Sequence, residues 1–171
     1  RALREWKNTQ YEFLGDLWPE MFTSMNSHGP IERGIDMVAP RGVDYQYTSV
    51  NILGIPNVAD SFQAIKRLVF EESRYTLADV KAAIETNWQG LEPMRQRFLN
   101  QDKFGNDLDD VDALFVRITE TLATVLGSMV NLRGQEFRAS LFHFQGHVAP
   151  TAVGATPDGR LAEEYLAHGI N

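Results

Sequence analysis

Apolar positions recur at helical spacing through most of the chain. The cleanest run is Leu108, Val111, Phe115, Ile118, Leu122, Val125 and Met129, three and four residues apart, and it predicts one long helix. Leu114 and Leu126 widen its stripe, so burial inside a domain is expected rather than a two-stranded seam. Asp107, after the Lys103-Phe104-Gly105-Asn106 turn, is its expected cap. Val58, Phe62, Ile65 and Val69 mark an earlier helix on one face, with Lys66, Arg67, Glu71 and Glu72 away from it. Asn57 is that helix's expected N-cap, and Asp60 sits near its positive end. Thr76 with Asp79 forms a capping pair ahead of Val80, Ile84 and Trp88, and Gly90 should end that helix. Pro93 suits the first turn of the next helix, with Met94 and Phe98 one turn apart.

Arg1 to about Trp18 also reads as a helix. After Pro19, Met21, Phe22 and Met25 are expected to bury one side of another, until His28-Gly29-Pro30 breaks it. Ile31 to Asp36 reads as a polar connection and Pro40-Arg41-Gly42 as a loop. Two stretches look extended: within Asp44 to Gly54, and Phe137 to Val148. In the second, His143, Gln145 and His147 share a face. Ala162 to Leu166 could start a last short helix. The order of elements predicts a helix-rich α/β fold.

Residues 147–160 read HVAPTAVGATPDGR and close on Thr156-Pro157-Asp158-Gly159-Arg160. Proline fixes one φ, aspartate bonds its own backbone, and glycine supplies positive φ, so a tight turn is expected. Arg160 carries a planar five-donor head suited to a carboxylate or to carbonyls. Two readings stay open: a plain turn with a surface arginine, or a rigid loop beside a pocket.

The composition narrows the chemistry. A net charge of −7 argues against nucleic acid, which needs clustered cations. The nearest basic group, Arg95, Arg97 and Lys103, lies among acidic residues. No apolar run reaches bilayer length. There is no cysteine, which removes thiolate metal sites and cysteine nucleophiles from these residues. His143 and His147 would stand about 13 Å apart on a strand, too far to share a metal. The acidic run from Asp107 to Asp112 lacks the glycine and glutamate of a calcium loop.

Several motifs together resemble the glycyl radical enzymes of the pyruvate formate-lyase-like superfamily. They are IERGID at 31–36, NVADSFQAIKRLVFEE at 57–72, NWQGLE at 87–92 with Arg95, KFGND at 103–107 and GATPDGR at 154–160. The GATPDGR form is more similar to the dehydratase, lyase and decarboxylase branches. Two departures are visible: Pro30 stands where the family often has a non-catalytic cysteine, and Arg41-Gly42 replaces a double-glycine-like step.

The resemblance implies a partial segment of a ten-stranded α/β barrel, with residues 1–171 forming part of a single catalytic domain. It implies a piece lying between the cysteine loop and the glycyl radical loop, carrying no catalytic residue and binding no metal or cofactor of its own. The full-length enzyme would be a cytoplasmic homodimer. A radical S-adenosylmethionine activase would install its glycyl radical, and it would act on a small-molecule substrate. His147, with Ala149 and Thr151 on the same face, would line the substrate cavity; a strand histidine bonded to backbone is the alternative for His147. Gly105, Asn106 and Asp107, with Thr156, Pro157, Asp158, Gly159 and Arg160, would be structural. A non-catalytic scaffold derived from such an enzyme is the competing reading.

Overall fold

A computed structural model of the chain describes residues 2, 5, 18–131, 134–141 and 153–167. They divide into two compact units: Arg1–Val50 with Leu122–Ser140, and Asn51–Thr121 with Leu141–Asn171. The helix expected before Trp18 falls outside the described residues apart from Ala2 and Glu5, both helical.

In the first unit, helix α1 (Met21–Met25) is followed by α2 (Pro30–Arg33). The polar connection expected at 31–36 is thus partly helical. Met21, Phe22 and Met25 are exposed and Ser24 is buried, the reverse of the expected face. Ser24 is held because its hydroxyl donates to Asp36 Oδ2 (2.9 Å) and accepts from Met37 N (2.9 Å). Strands β1 (Thr48–Ile52) and β2 (Phe137–Leu141) form a two-stranded sheet. Thr48 N donates to Glu136 O (2.8 Å) where both strands begin, so they run in the same direction. The remainder of the stretch to Val148 lies outside the described residues.

Among the described residues, the second unit holds three helices and a fourth as far as Thr121. Helix α3 (Ile55–Ile65) continues as a π-helical segment, Lys66–Glu71. Its N-cap is Gly54, and Asn57 is already inside the helix, so the expected Asn57 cap is corrected. The covered face is Ala59, Asp60, Gln63, Ala64 and Leu68, while Val58 and Phe62 are 40% and 52% exposed. The small Ala59 and Ala64 let neighbouring segments approach that side closely.

Helix α4 (Leu77–Glu85) begins with the expected box: Thr76 Oγ1 accepts from Asp79 N (3.1 Å), and Asp79 Oδ2 accepts from Thr76 N (2.8 Å). It ends at Glu85, short of Trp88, because Asn87 and Trp88 take left-handed backbone conformations. Helix α5 (Glu92–Leu99) carries Pro93 in its first turn and buries Met94 and Phe98. Trp88 and Tyr75 pack on Phe98 with ring centroids 5.2 and 5.8 Å away. Leu68, Val80, Ala83 and Ala155 complete this core. Burying a side chain the size of Phe98 contributes about 1.5–3 kcal/mol.

Helix α6 (Asp109–Gly127) is the long helix. Val111, Phe115 and Leu126 are buried, but Leu108 and Val125 are exposed, so its stripe is covered only in part. Asp107 is not its cap: Asp112 N bonds Leu108 O (3.0 Å), and Asp107 sits one residue earlier at φ +58°. The last helix expected at 162–166 is absent; residues 162–163 form a turn.

Gln63 is fully buried, and neither its amide nitrogen nor its amide oxygen has a hydrogen-bond partner among the described residues. Desolvating such a group without a partner costs about 1–3 kcal/mol. Gln63→Leu is therefore expected to raise stability by at least about 1 kcal/mol in urea denaturation. A loss of stability on that substitution would show that the amide is satisfied.

Candidate functional site

The Thr156–Arg160 turn is braced by hydrogen bonds from several directions. Gly159 N donates to Thr156 O (3.1 Å), and Thr156 N donates to Arg160 O (3.0 Å). Thr156 Oγ1 donates to Asp158 Oδ1. Gly159 has φ +91°. Asp158, Gly159 and Arg160 are buried.

Arg160 is not a surface arginine. It is 5% exposed, and its head is spread over five acceptors. Nε donates to Thr156 Oγ1 (3.2 Å), and Nη1 to Leu161 O (2.9 Å) and Glu164 O (2.6 Å). Nη2 donates to Val153 O (3.3 Å) and Gly154 O. Of the two partners suited to the planar fork, carbonyls are the ones present. Engaging Glu164 O also removes that carbonyl from any helix at 162–166.

Three distant elements mount the turn. Asn57 on α3 donates from Nδ2 to Asp158 Oδ2 (2.7 Å) and accepts at Oδ1 from Ala167 N (2.7 Å). Arg95 on α5 donates from Nε to Gly159 O (2.8 Å). Lys103 donates from Nζ to Asp158 O (3.0 Å) and Phe98 O (3.3 Å). Two cations that looked like a diffuse basic group are thus assigned to successive turn carbonyls.

The Lys103–Asp107 loop is fixed in turn. Asp60 Oδ1 accepts from Phe104 N (2.8 Å), and the Phe104 ring stacks on Phe115 with centroids 3.9 Å apart. Asn106 Nδ2 donates to Lys103 O (3.1 Å), with Gly105 at φ +90° and Asp107 at φ +58° on either side of it. Gly105, Asn106 and Asp107 are therefore tied to the Thr156–Arg160 turn through Lys103.

Burial pushes the Asp60 carboxyl above its ordinary value of 3.8; the Phe104 N–H bond and the Lys103 charge oppose this, and Asp158 adds to it. Burial likewise pulls Lys103 below 10.5, against the attraction of Asp60 and Asp158. A carboxyl raised on folding holds more protons folded than unfolded, so its contribution favours the fold at low pH. That contribution is lost as pH climbs from about 3.8 through the raised value. The lowered lysine works in the opposite sense, adding stability as pH rises towards its ordinary value. Asp60→Asn is expected to raise stability near neutral pH relative to acid pH, and so to steepen the acid-side decline; carboxyl NMR should find Asp60 titrating above 3.8. A titration at or below that value would contradict the burial argument.

Beside the turn lies an apolar groove of about 390 Å³. Val58, Phe62 and Ile65 of α3 form one side, and Val153, Thr156 and Pro157 form the other. This explains why the α3 apolar face is open: it lines a groove rather than a core. His147, Ala149 and Thr151 lie outside the described residues. Among the described residues, no group of three or more His, Cys, Asp or Glu is arranged to hold a metal ion. None of their helices is long and apolar enough to cross a membrane. Asn57 and Asp60 were legible only as capping and dipole residues. The signal for their true role is polarity on the small-residue face of α3.

The family model for pyruvate formate lyase-like proteins matches residues 3–150. The chain belongs to that family. Indoleacetate decarboxylase from Tractidigestivibacter scatoligenes is 32% identical to it over 181 residues, covering 91% of this chain and 20% of the decarboxylase. A solved structure concerned with 1,2-propanediol dehydration in Roseburia inulinivorans matches with a TM-score of 0.84 and 34% identity, covering 95% of this chain and 21% of that one. A glycyl radical enzyme from Archaeoglobus fulgidus matches with a TM-score of 0.84 and 25% identity, over 98% and 21% respectively. The chain therefore spans about one fifth of the length of the relatives it matches. Its helix-rich α/β structure is a partial segment of the pyruvate formate lyase-like barrel. Relatives in this pyruvate formate lyase-like group carry a glycyl radical.

Proposed function

We propose that this chain supplies wall and framework to a glycyl radical lyase or dehydratase that cleaves a C–C, C–O or similar bond in a small oxygenated molecule. The observation that carries the reading is the family match across residues 3–150. We read residues 1–171 as part of one catalytic domain. The chain has no cysteine and no Arg-Val-x-Gly-Tyr-like stretch, so in this reading the thiol and the radical glycine come from polypeptide outside these residues. A radical S-adenosylmethionine activase would install the radical. The full-length enzyme would work as a cytoplasmic homodimer.

Within this segment, His147, Ala149 and Thr151 line the substrate cavity. Supporting this, Val153, Thr156 and Pro157, which follow them closely, form one side of the groove. His147 would donate a hydrogen bond to a substrate hydroxyl or carboxylate. The braced turn would hold that wall at a fixed distance from the reacting centre, since misplacement of about 1 Å can cost on the order of 100-fold in rate.

The test uses the full-length protein, activated anaerobically by its activase. Electron paramagnetic resonance should show a glycyl radical, and a panel of vicinal diols and arylacetates should reveal turnover. His147→Ala is expected to lower kcat/KM at least about tenfold, as loss of a hydrogen bond to a charged group does, at unchanged radical content. Absence of a radical after activation would refute the enzyme class. Unchanged kinetics in His147→Ala would refute only the histidine's role.

A further inference from the structure

The first unit contains a polar cleft of about 880 Å³ that shares no residue with the groove. Its walls come from the segments leading into β1 and β2: Arg33, Arg41, Tyr47, Gln46, Gln135 and Arg138. The framework is rigid. Gln46 Nε2 donates to Met37 O (2.6 Å) and Ala39 O (2.7 Å), and its Oε1 accepts from Arg41 N (2.9 Å) and Gln135 Nε2 (2.8 Å). Gln135 Oε1 accepts from Asn131 Nδ2 (2.9 Å).

The three guanidinium groups differ in their commitments. Arg33 braces the loop: Nη1 donates to Arg41 O and Gly42 O (both 3.3 Å), and Nη2 pairs with Asp44. Arg138 lies over the Tyr47 ring, 4.9 Å from its centroid, and meets Glu136 at 3.4 Å. Arg41 is exposed, and no hydrogen bond or ion pair engages its guanidinium among the described residues. With two carboxylates against three guanidinium groups, the cleft carries one net positive charge in a chain of net charge −7.

Arg41 also holds φ +65°, where a side chain costs about 1–2 kcal/mol that glycine would not incur. Backbone strain of this kind gathers at binding sites. An arginine kept there, with no partner for its guanidinium among the described residues, fits an anchor for a ligand. We propose that the cleft binds a small anion bearing a carboxylate or phosphate group, with Arg41 as its principal anchor and Arg138 as a second contact. The planar fork of arginine matches either anion through paired hydrogen bonds. Its volume lies in the range of small-molecule sites, roughly 300–1,000 Å³.

Arg41→Gly gives a clean test, because it removes the anchor while relieving the backbone. The full-length protein would be titrated calorimetrically, at low salt, with inorganic phosphate and separately with citrate. Saturable binding of at least one is expected, weakening as salt is added. Phosphate alone would assign a phosphate-bearing ligand, and citrate alone a carboxylate. Arg41→Gly should weaken that binding at least tenfold with the thermal midpoint unchanged or raised, and Arg138→Gln should weaken it severalfold. No saturable binding of either anion, or equal affinity in Arg41→Gly, would overturn the assignment.

Discussion

Gly159→Val is expected to destabilise the protein by about 2–5 kcal/mol, the largest single loss in this region. Two independent costs add. The backbone at φ +91° is one that side-chain-bearing residues adopt at a cost of about 1–2 kcal/mol. A Cβ there would also stand 2.6 Å from Leu99 Cγ and 3.0 Å from Leu99 N. The second contact is to backbone, which cannot swing aside as a side chain can, and overpacking of this kind costs about 1–3 kcal/mol. Gly90 separates the two costs. It has φ +73° with nothing within 4 Å of its Cβ position, so Gly90→Ala should show only the dihedral cost. Gly159→Ala should exceed Gly90→Ala by at least about 1 kcal/mol in urea denaturation. Equal losses would mean that Leu99 yields freely and that the turn is not closely packed.

What could be read in the chain was local, and what could not was long-range. The Thr76–Asp79 box, the Pro93 helix start and the Pro157-Asp158-Gly159 turn depend on residues within three or four positions of each other, so their chemistry is visible in one dimension. The open groove face of α3 was not visible. Periodicity at Val58, Phe62 and Ile65 reports that a helix has two unlike faces, but not which face its neighbours cover. The decisive partners of Asn57 and Asp60 are 101 and 44 residues away, so both residues looked like capping groups. Asp107 failed as a cap for a related reason: its left-handed backbone belongs to the preceding turn, and the next residue supplies the first helical carbonyl. The site was legible mainly through family resemblance, which picked out KFGND and TPDGR together. Lys103 supplies the physical link between them, reaching from one motif to the Asp158 carbonyl of the other.

Arg160→Lys is expected to lose about 2–4 kcal/mol although the charge is kept. The argument turns on geometry. Arg160 is 5% exposed and places donors from three nitrogens on carbonyls at 153, 154, 161 and 164 and on Thr156 Oγ1. Lysine offers three donors from one atom at the end of a flexible stem. It cannot reach carbonyls on both sides of the turn, so at least two would be left buried without a donor, at about 1–3 kcal/mol each before relaxation. Arg160→Met should then be only slightly worse than Arg160→Lys, whereas a charge-based role would make lysine nearly neutral. Denaturation of both variants decides between them; a lysine variant within about 1 kcal/mol of wild type would reject the clamp. The same change reaches the proposed cavity. Val153 and Gly154 are held by the guanidinium, and Val153 and Thr156 wall the groove. Faster amide exchange at residues 153–156 in Arg160→Lys, with α4 unchanged, is therefore the expected local signature of a wall that has lost its brace.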